Sequence, residues 1–396
     1  MNGVQIWSMV ERLIKPLKTN SFFLFGARGT GKSTFLGSYF PHNEEVLWID
    51  LLNPEEEDRY ARNPQELAGC LDAAPGKIKW VVLDEIQKVP KLLDVVHSRI
   101  ESSGAKFAMT GSSARKLKRE ETNLLAGRAF VHSLFPLTHC ELGDGFNLDS
   151  ALMYGTLPGL LKFDTDEERV SFLRAYALTY LKEEIWGEHI VRKLDPFRKF
   201  IEIAAQCNGE IINYANIARD VGADIKTVQS YFGILEDTLL GFMLEPYHQS
   251  VRKRQRQAPK FYLFDTGVRR ALDRTLTVEL KRGTYAYGSA FEHLVIAESV
   301  RLNEYRRKDF RFSYLRTKDD AEIDLIIERP GASTALVEVK STPRVDDRDT
   351  RSLERFAADM PKAEAFILST DPIVKRIGKV VAFPWQRGLK ELGLLQ

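Results

Sequence analysis

Residues 26–33 read GARGTGKS and carry the residue types of a phosphate-binding loop. The three glycines permit a tight turn in which backbone N–H groups surround a phosphate. Lys32 would then reach the β- and γ-phosphates, and the Ser33 hydroxyl would ligate Mg²⁺. The alternative is a glycine-rich turn before an ordinary helix. The expected site for ATP and Mg²⁺ comprises Gly26, Ala27, Arg28, Gly29, Thr30, Gly31, Lys32, Ser33 and Thr34.

Two acids and a threonine at the ends of later apolar runs favour a nucleotide site. WVVLDE ends in Asp84, which suits a position close to Mg²⁺, and in Glu85, which suits polarisation of the attacking water. KFAMTGSS places the Thr110 hydroxyl where it would meet the γ-phosphate or that water. Acid pairs at strand ends also serve as helix caps or lie in solvated loops. The glycine-rich loop upstream, at a typical spacing, makes a functional nucleotide site the stronger interpretation.

Arg128, in LLAGRAF, lies far from the glycine-rich loop in sequence. A guanidinium at this position would reach the γ-phosphate of a neighbouring subunit, as an arginine finger does. The alternative is a surface arginine that pairs with a carboxylate. The residue type and position leave both interpretations open.

A second group of charged residues interrupts apolar runs near the end of the chain. AEIDLIIERPGASTALVEVK contains two strand-like runs around a Pro-Gly turn. Strict alternation puts Ile323, Leu325 and Ile327 on one face of the first strand and Asp324 on the other. The same rule puts Glu338 on the opposite face of the second strand from its valine neighbours. In a hairpin these two acids converge.

Two converging carboxylates, Asp324 and Glu338, would ligate Mg²⁺, which polarises a scissile phosphate and lowers the pKa of a bound water. Lys340 would orient that water or stabilise the developing charge. Glu292, from the preceding helix, would add a ligand or hold one in place. The alternative is an edge hairpin whose Glu–Lys pair lies on a solvated face. An unpaired carboxylate inside an Ile- and Leu-rich strand is costly, which favours the metal site.

The elements that must position the phosphate loop are five apolar runs separated by helical stretches. Their alternation predicts an α/β domain, a parallel sheet covered by helices on both faces, with ligands at the carboxyl ends of the strands. The five runs are SFFLF (21–25), VLWID (46–50), WVVLD (80–84), KFAMT (106–110) and RAFVHSL (128–134).

The middle of the chain predicts three short helices and then a two-stranded wing. NYANIARDV and DIKTVQSYFGILEDT have helix-turn-helix spacing, with Gly222 in the turn and Asp224 as the N-cap. Lys226, Thr227 and Gln229 would lie on the outer face of the second helix of this pair. LLGFMLEPY and KFYLFD are the expected wing strands.

The segment between the two wing strands, SVRKRQRQAPK, contains no acid. A basic wing beside a helix pair suits contacts with nucleic-acid phosphates. The alternative is a solvated charged hairpin or a surface that binds another protein. The basic residues of this segment are Arg252, Lys253, Arg254, Arg256 and Lys260.

The C-terminal region reads helix, strand, strand, strand, helix, strand. YGSAFEHLVIAESVRLN and DTRSLERFAADM are the predicted helices, and AEAFILS is expected to be the final strand. The three strands between the helices are FRFSYLR, AEIDLIIE and TALVEVK. The carboxylates described above lie on the last two of these strands and on the first helix.

Composition bounds the class of protein. The 396 residues are 44% apolar and 28% charged with a net charge of +2, so any nucleic-acid-binding surface must be local. Cys70, Cys140 and Cys207 have no paired spacing, which argues against zinc and disulfides and fits a reducing cytosol. Neither a secretion signal nor a membrane span is expected. These observations predict a cytoplasmic protein of two or three domains.

GARGTGKST, VVLDEIQKVP, MTGSSARKL, LAGRAF and LFPLTHCE together resemble the AAA+-type ATPase domain of a large prokaryotic family. That resemblance implies an ATPase domain (1–135), a helical lid (136–195), a winged-helix region (196–280) and a nuclease-like domain (281–396). It also implies a homo-oligomer, such as a hexameric ring, with Arg128 acting in trans. The chain departs from the family where it has Gly155-Thr156 instead of two glycines in the lid.

The order Gly288, Glu292, Asp324, Glu338-Val339-Lys340 is similar to that of the PD-(D/E)xK nuclease superfamily, most of all to archaeal Holliday-junction resolvases. The resemblances together imply an ATP-hydrolysing oligomer that remodels or translocates branched DNA and binds or cuts it. One alternative is a nucleotide-gated regulator that binds DNA or protein with slow turnover. Another is a defence effector in which ATP sensing licenses the nuclease.

Overall fold

The computed structural model describes residues 10–74, 76–102, 104–112, 127–180, 194–248, 257–317 and 321–395. Its strands form a five-stranded and an eight-stranded sheet. In chain order the strands are β1 (Ser21–Phe25), β2 (Val46–Asp50), β3 (Trp80–Asp84), β4 (Lys106–Gly111), β5 (Ala129–Ser133), β6 (Gly241–Pro246), β7 (Lys260–Leu263), β8 (Arg311–Arg316), β9 (Glu322–Glu328), β10 (Ala335–Lys340), β11 (Glu364–Ser369), β12 (Lys375–Ile377) and β13 (Val380–Pro384).

The α-helices vary from a single turn to 22 residues. In chain order they are α1 (Lys32–Tyr39), α2 (Pro54–Arg62), α3 (Glu66–Ala73), α4 (Leu92–Ser102), α5 (His139–Leu142), α6 (Leu148–Tyr154), α7 (Asp166–Ala175), α8 (Leu194–Gln206), α9 (Tyr214–Val221), α10 (Ile225–Asp237), α11 (Thr266–Leu272), α12 (Tyr285–Arg306), α13 (Asp347–Asp359) and α14 (Trp385–Glu391). Within the described residues, no helix is long and apolar enough to cross a membrane.

The first sheet is parallel, with the strand order β2-β3-β4-β1-β5. All five predicted strands are present, so the predicted parallel sheet is confirmed. Separate apolar clusters cover its two faces. Strands that are buried on both sides in this way need apolar residues at nearly every position. The phosphate loop follows β1 and leads into α1 at the carboxyl edge of the sheet.

The middle of the chain folds as the predicted helices and hairpin. Helices α8, α9 and α10 pack around Phe200 and Phe232, and Asp224 caps α10 by accepting from the Thr227 N–H at 2.8 Å. Strands β6 and β7 pair antiparallel. Strand β6 also pairs parallel with β8, so the hairpin extends the second sheet instead of standing free as a wing.

The second sheet has the order β12-β13-β11-β10-β9-β8-β6-β7, with apolar clusters on both faces. The expectation that AEAFILS is the last element was wrong. β12, β13 and α14 follow it, and β13 pairs parallel with β11. Val380–Pro384 is an apolar run of strand length, so the signal was present in the sequence but was not used.

Helix α12 connects the two halves of the molecule. Its 22 residues span about 33 Å. Phe291 and Leu294, toward its start, pack in the core of the second sheet, whereas Tyr305, at its end, packs in the core of the first. The helix is therefore shared by both sheet domains.

Candidate functional site

The phosphate loop has the backbone conformation that its glycines permit. Gly29 and Gly31 have φ values of 76° and 90°, a region that favours glycine. A Cβ on Gly26 would lie 2.5 Å from the Leu134 carbonyl oxygen, which follows β5. Gly31 then precedes α1, so the first N–H groups of that helix point into the loop.

Lys32 is buried inside the loop. Its Nζ donates to the Gly26 carbonyl at 2.8 Å and lies 3.5 Å from Glu85 Oε1. Ala27 and Thr30 are buried behind it, and the Thr30 hydroxyl donates to the Ala27 carbonyl at 2.7 Å. The predicted loop residues that are exposed are Arg28, Gly29, Ser33 and Thr34.

The acids predicted from β3 and the threonine predicted from β4 lie together beside Lys32. The Thr110 hydroxyl donates to Asp84 Oδ1 and accepts from the Glu85 N–H at 2.9 Å. Because this hydroxyl is fully buried and is used by the two acids, Thr110 positions the acids. The expected contact of Thr110 with phosphate or water stays a prediction.

Glu85 has φ 60° and ψ 50°, an uncommon conformation for a residue with a side chain. Such conformations persist where surrounding contacts hold them, and they concentrate at functional sites. Its Oε2 accepts from Gln87 Nε2, while its Oε1 lies near Lys32. Gln87 is buried and also reaches Ser112 at 3.3 Å. Gln87 was not predicted as a site residue, although it lies only two residues after Glu85.

Two residues outside the motif, Arg12 and Tyr176, hold the phosphate loop by donating hydrogen bonds to its backbone carbonyls. Arg12 donates to the Thr30 carbonyl at 2.8 Å, to the Phe135 carbonyl at 2.6 Å and to Glu141 at 2.8 Å. Tyr176, in a π-helical turn that follows α7, donates to the Arg28 carbonyl at 2.8 Å. No local pattern singles out either residue, because each acts only through tertiary contact.

Arg128 lies at the surface just before β5 and donates to Glu101 through Nε and an Nη, at 2.8 and 2.6 Å. It is at the amino end of the sheet, because Ala129 pairs with Ser21, the first residue of β1. The phosphate loop is at the opposite edge. The surface pairing expected as the alternative is therefore present within the chain, and action on a neighbouring subunit stays a prediction.

The residues predicted to contact nucleic acid have different locations. Lys226 and Gln229 are exposed on α10, as expected. Arg252, Lys253, Arg254 and Arg256 lie outside the described residues. The interpretation of Lys260 as a basic wing residue is wrong: Lys260 is buried and pairs with Glu322 and Glu292.

The hairpin of β9 and β10 lies in the centre of the second sheet, between β8 and β11. The alternative of an edge hairpin with a solvated face is therefore wrong. Strand β9 has an irregularity against β8, because Ser313 pairs with Ile326 and Leu315 with Ile323. The extra residue puts Ile323 in the same apolar cluster as Ile326, so the strict alternation expected for this strand was also wrong.

Asp324 lies within this irregularity. The backbone pairing of β9 with β10 ends at Val337, opposite Leu325. Beyond this pair, Asp324 Oδ2 accepts from the Val339 N–H at 2.7 Å. Burial raises the pKa of Asp324. The carboxylate therefore replaces a backbone acceptor and is held beside the second strand.

Glu338 and Lys340 form the predicted pair on β10, with Nζ 2.7 Å from Oε1. Glu338 is 8% exposed, and its Oε2 is buried without a hydrogen-bond partner among the described residues. Burial, followed by the negative charge of Asp324, raises the pKa of Glu338 to about 8. This buried, unpartnered oxygen favours a cation beside it.

Glu292, on α12, completes the carboxylate cluster, by which we mean Glu292, Asp324 and Glu338. Its Oε1 accepts from the Tyr262 hydroxyl at 2.7 Å and lies 3.7 Å from Lys260 Nζ. Burial and the charge of Asp324 raise the pKa of Glu292 to about 7. Neither Lys260 nor Tyr262 was predicted to belong to this site.

The described residues contain no set of three or more His, Cys, Asp and Glu side chains arranged to hold a metal ion. Mg²⁺ is nevertheless commonly held by one or two carboxylates, with waters and substrate phosphate completing the octahedron. Asp324 and Glu338 match that smaller donor set, and the unpartnered Oε2 of Glu338 fits it. Glu292 then takes a supporting position.

The lid loop with Gly155-Thr156 is anchored in the protein interior. A Cβ on Gly155, at φ 78°, would lie 2.0 Å from Asp265 Oδ1, and the Thr156 N–H donates to Asp265 at 2.8 Å. Arg301, on α12, donates to the Thr156 hydroxyl at 3.1 Å. This loop therefore ties the region that follows the first sheet to α11 and α12.

Comparison with known families divides the chain into three parts. Residues 18–143 match a family described as AAA domain. The N-terminal domain is an AAA-type P-loop domain. Residues 145–279 and 287–387 match two families that are each described as a domain of unknown function, DUF8612 and DUF4143. The AAA domain thus contains the phosphate loop, and the carboxylate cluster belongs to the third part.

Similar proteins retain most of this three-part chain. An uncharacterized protein of Mycobacterium tuberculosis is 28% identical over 87% of this chain and 77% of its own length. An uncharacterized protein of Methanocaldococcus jannaschii is 24% identical over 95% of this chain and 86% of its own. The AAA domain and the parts that follow it therefore recur together in a bacterium and an archaeon.

Two solved structures overlap with parts of the chain. The Aeropyrum pernix ORC1 protein in complex with DNA has 15% identity and a TM-score of 0.26, covering 66% of this chain and 87% of that one. Can2 from Sulfobacillus thermosulfidooxidans in complex with cyclic tetra-adenylate has 9% identity and a TM-score of 0.22, covering 95% and 100%. Overlaps of this size do not establish a shared fold.

Proposed function

We propose that the protein is an oligomeric, ATP-hydrolysing enzyme that acts on DNA. Its AAA domain would supply mechanical work, and its C-terminal part would be a nuclease-like domain that binds a divalent cation and the phosphate backbone of branched or duplex DNA. Remodelling of branched DNA is the activity that combines the two. The observation that carries the proposal is a pair of acids, the half-buried Asp324 and the buried Glu338, in a chain that also has a complete phosphate loop.

The geometry supports the following proposed roles at the ATP site. The loop N–H groups and Lys32 would hold the β- and γ-phosphates, and the exposed Ser33 hydroxyl would ligate Mg²⁺ with Asp84 nearby. Glu85 would orient the attacking water. Lys32 lies 3.5 Å from Glu85, so an arriving phosphate would separate this pair and free the carboxylate for that task.

At the carboxylate cluster, Asp324 and Glu338 would hold Mg²⁺, which polarises a phosphodiester and lowers the pKa of a bound water. Lys340 lies 2.7 Å from Glu338 and is partly exposed, so it can approach a phosphate oxygen as well. Its charge would stabilise the charge that develops on the phosphate. Tyr262 orients Glu292 through a 2.7 Å hydrogen bond.

Contact with nucleic acid would come from the winged-helix region. Lys226 and Gln229 are exposed on α10. In the sequence, Arg256 is four residues from Lys260, which pairs with Glu292 of the carboxylate cluster. Phosphate contacts of this kind are salt-dependent and largely independent of sequence. DNA held by this region would therefore be close to Asp324 and Glu338.

The test is the ATPase rate of the purified protein with Mg²⁺ and no nucleic acid, linear duplex or a four-way junction, paired with a gel for strand scission. We expect the junction to stimulate turnover and Lys32→Ala to abolish it. Scission that is lost in Asp324→Asn but retained in the exposed control Asp359→Asn would assign cutting to the cluster. Turnover that is indifferent to every DNA, with no scission, would contradict the proposal.

A second candidate is a nucleotide-gated regulator that holds nucleic acid without cutting it. The ion pair between Lys340 and Glu338 favours it, because this lysine occupies one oxygen of an expected metal ligand. Slow ATP turnover independent of DNA, together with sequence-selective binding, would support this candidate. Toxicity on overexpression that Asp324→Asn relieves would instead support the defence effector.

A further inference from the structure

Strand β7 contributes two side chains to a site that otherwise belongs to the C-terminal domain. Lys260 is buried, pairs with Glu322 and has its Nζ 3.7 Å from Glu292 Oε1. Two residues further on, the Tyr262 hydroxyl donates to the same Glu292 oxygen. The side chains around the carboxylate cluster therefore come from two parts of the chain, since β7 lies in the part that precedes α12.

Lys260 is fixed in place. Its Nζ lies 5.5 Å from the centre of the Tyr314 ring. Because the ammonium is buried, its charged partners are the carboxylates of Glu322 and Glu292. Burial opposes the charge, but the two glutamates outweigh it and raise the pKa of Lys260 above its usual value. The ammonium is thus a permanent positive charge beside the cluster.

The formal charges around the cluster do not cancel. Lys260 and Lys340 supply two positive charges. The four acids in electrostatic contact with them, and with one another, are Glu292, Glu322, Asp324 and Glu338. Arg316 adds a third positive charge, with its Nη1 3.9 Å from Glu322 Oε2. With every acid ionised, the acids therefore exceed the cations by one charge, which is less than the charge of one divalent cation. The unpartnered, buried Oε2 of Glu338 is a position for such a cation to contact.

We propose that Lys260 provides a fixed positive charge beside the carboxylate cluster. It holds Glu292 and Glu322 in place and limits the cluster to one divalent cation, which binds with moderate affinity. This inference rests on the proposed metal site. Lys260 is not a metal ligand; it acts through the charge that it places beside the ligands. Without it the excess of negative charge around the cluster grows by one, and a divalent cation is drawn in more strongly because Coulomb attraction grows with the excess charge.

The test measures Mn²⁺ binding to nucleotide-free protein by titration calorimetry, together with the melting temperature with and without Mn²⁺. Wild-type protein is expected to bind one Mn²⁺ that Asp324→Asn does not bind. Lys260→Met is expected to bind Mn²⁺ about tenfold more tightly or better. Its melting temperature should fall without metal and recover with Mn²⁺, because the metal replaces the missing charge. Lys281→Met, at an exposed lysine, is the matched control.

Two further variants keep the inference testable if Lys260→Met does not fold. Lys260→Arg retains the charge and should bind Mn²⁺ within about threefold of wild type. Glu322→Gln removes a negative charge at a residue that is not an expected ligand, and it should weaken binding about tenfold.

The outcomes separate this inference from the proposed function. Mn²⁺ binding that Lys260→Met leaves unchanged or weakens, or that Glu322→Gln leaves unchanged, would show that Lys260 is only structural and would overturn the inference while the metal site stands. Wild-type protein and Asp324→Asn that bind Mn²⁺ equally, or not at all, would overturn the metal site itself and the inference with it.

Discussion

The two candidate sites differ in how the chain builds them. The phosphate loop is one continuous segment of the chain. The groups that it offers to a phosphate are mostly backbone N–H groups, whose position follows from local conformation. The carboxylate cluster brings together side chains from α12, β9 and β10, with support from β7. A local motif needs only its own turn and helix, whereas a composite site depends on the register of several strands.

Helix α12 connects the two sites, because it reaches both. Glu292 lies near its start, and Tyr305, near its end, accepts a hydrogen bond from Arg12 at 3.0 Å. The same arginine donates to the Thr30 carbonyl in the phosphate loop. Thirteen residues of helix separate Glu292 from Tyr305, a rise of about 20 Å. Substitutions in either site can therefore be tested for an effect on the other site.

The largest expected effect is that a substitution in either site strongly weakens binding at that site and leaves binding at the other site unchanged. Lys32→Ala should weaken ATP binding about 100-fold, since a charge-assisted bond to phosphate contributes about 3 kcal/mol. It should leave Mn²⁺ binding by nucleotide-free protein unchanged. Asp324→Asn should do the reverse, with at least about 100-fold weaker Mn²⁺ binding and normal ATP binding. Calorimetry on both variants measures all four affinities.

The exposed residues Lys18 and Asp359 offer matched controls, because Lys18→Ala and Asp359→Asn remove the same charges outside both sites. Loss of both affinities in either site variant would contradict the separation and would mean that the sites depend on one another for their structure.

An intermediate effect is expected at Arg12, which touches the phosphate loop only through a backbone carbonyl. Arg12→Lys keeps the charge but loses the fork that contacts Thr30, Phe135 and Glu141. ATP binding should weaken about tenfold, because the loop is no longer held in position. Arg62→Lys, at an exposed arginine, is the control. Unchanged ATP binding in Arg12→Lys, measured below its melting temperature, would restrict Arg12 to a purely structural role.

The smallest expected effect concerns the contact of α5 with α12. Burial opposes protonation of His139, but its contacts with Cys140 and with Glu298 of α12 outweigh burial and raise the pKa of His139 to about 9. Because the pKa is higher in the folded state, the stabilisation is complete below about pH 6.5 and is lost as the pH rises through 9.

His139→Gln should therefore lower the free energy of unfolding by about 2 kcal/mol at pH 6 and by much less at pH 9.5. Chemical denaturation of wild type and variant at both pH values measures the difference, and titration of all other groups cancels in it. A difference that is equal at both pH values would show that His139 does not titrate with folding.

Much of the fold was predictable because it follows local rules. The inner strands of the first sheet, β3, β4 and β1, are mostly apolar, as strands buried on both faces are. Asp224 caps α10, as its position before an amphipathic run predicts. The prediction failed where tertiary contact overrides a pattern. The irregularity in β9 breaks the alternation around Asp324, and β6 joins the second sheet.

The candidate sites show the same division. Lys32, Asp84 and Glu85 lie together as their motifs predict, and so do Glu338 and Lys340. Lys260 was misassigned because a lysine in a basic segment normally lies in solvent. Its burial depends on Glu322, 62 residues away, and no sequence spacing announces that pairing.

The sequence by itself determined the phosphate loop, the strand and helix periodicity and the acids available for catalysis, because these depend on residue type and short-range backbone preference. The tertiary structure decided which acids are buried together, which lysine neutralises them and how Arg12 and α12 join the two sites. Those outcomes require pairing of residues far apart in the chain, and their free energies arise from burial and from charge proximity, which exist only once the sheets have packed.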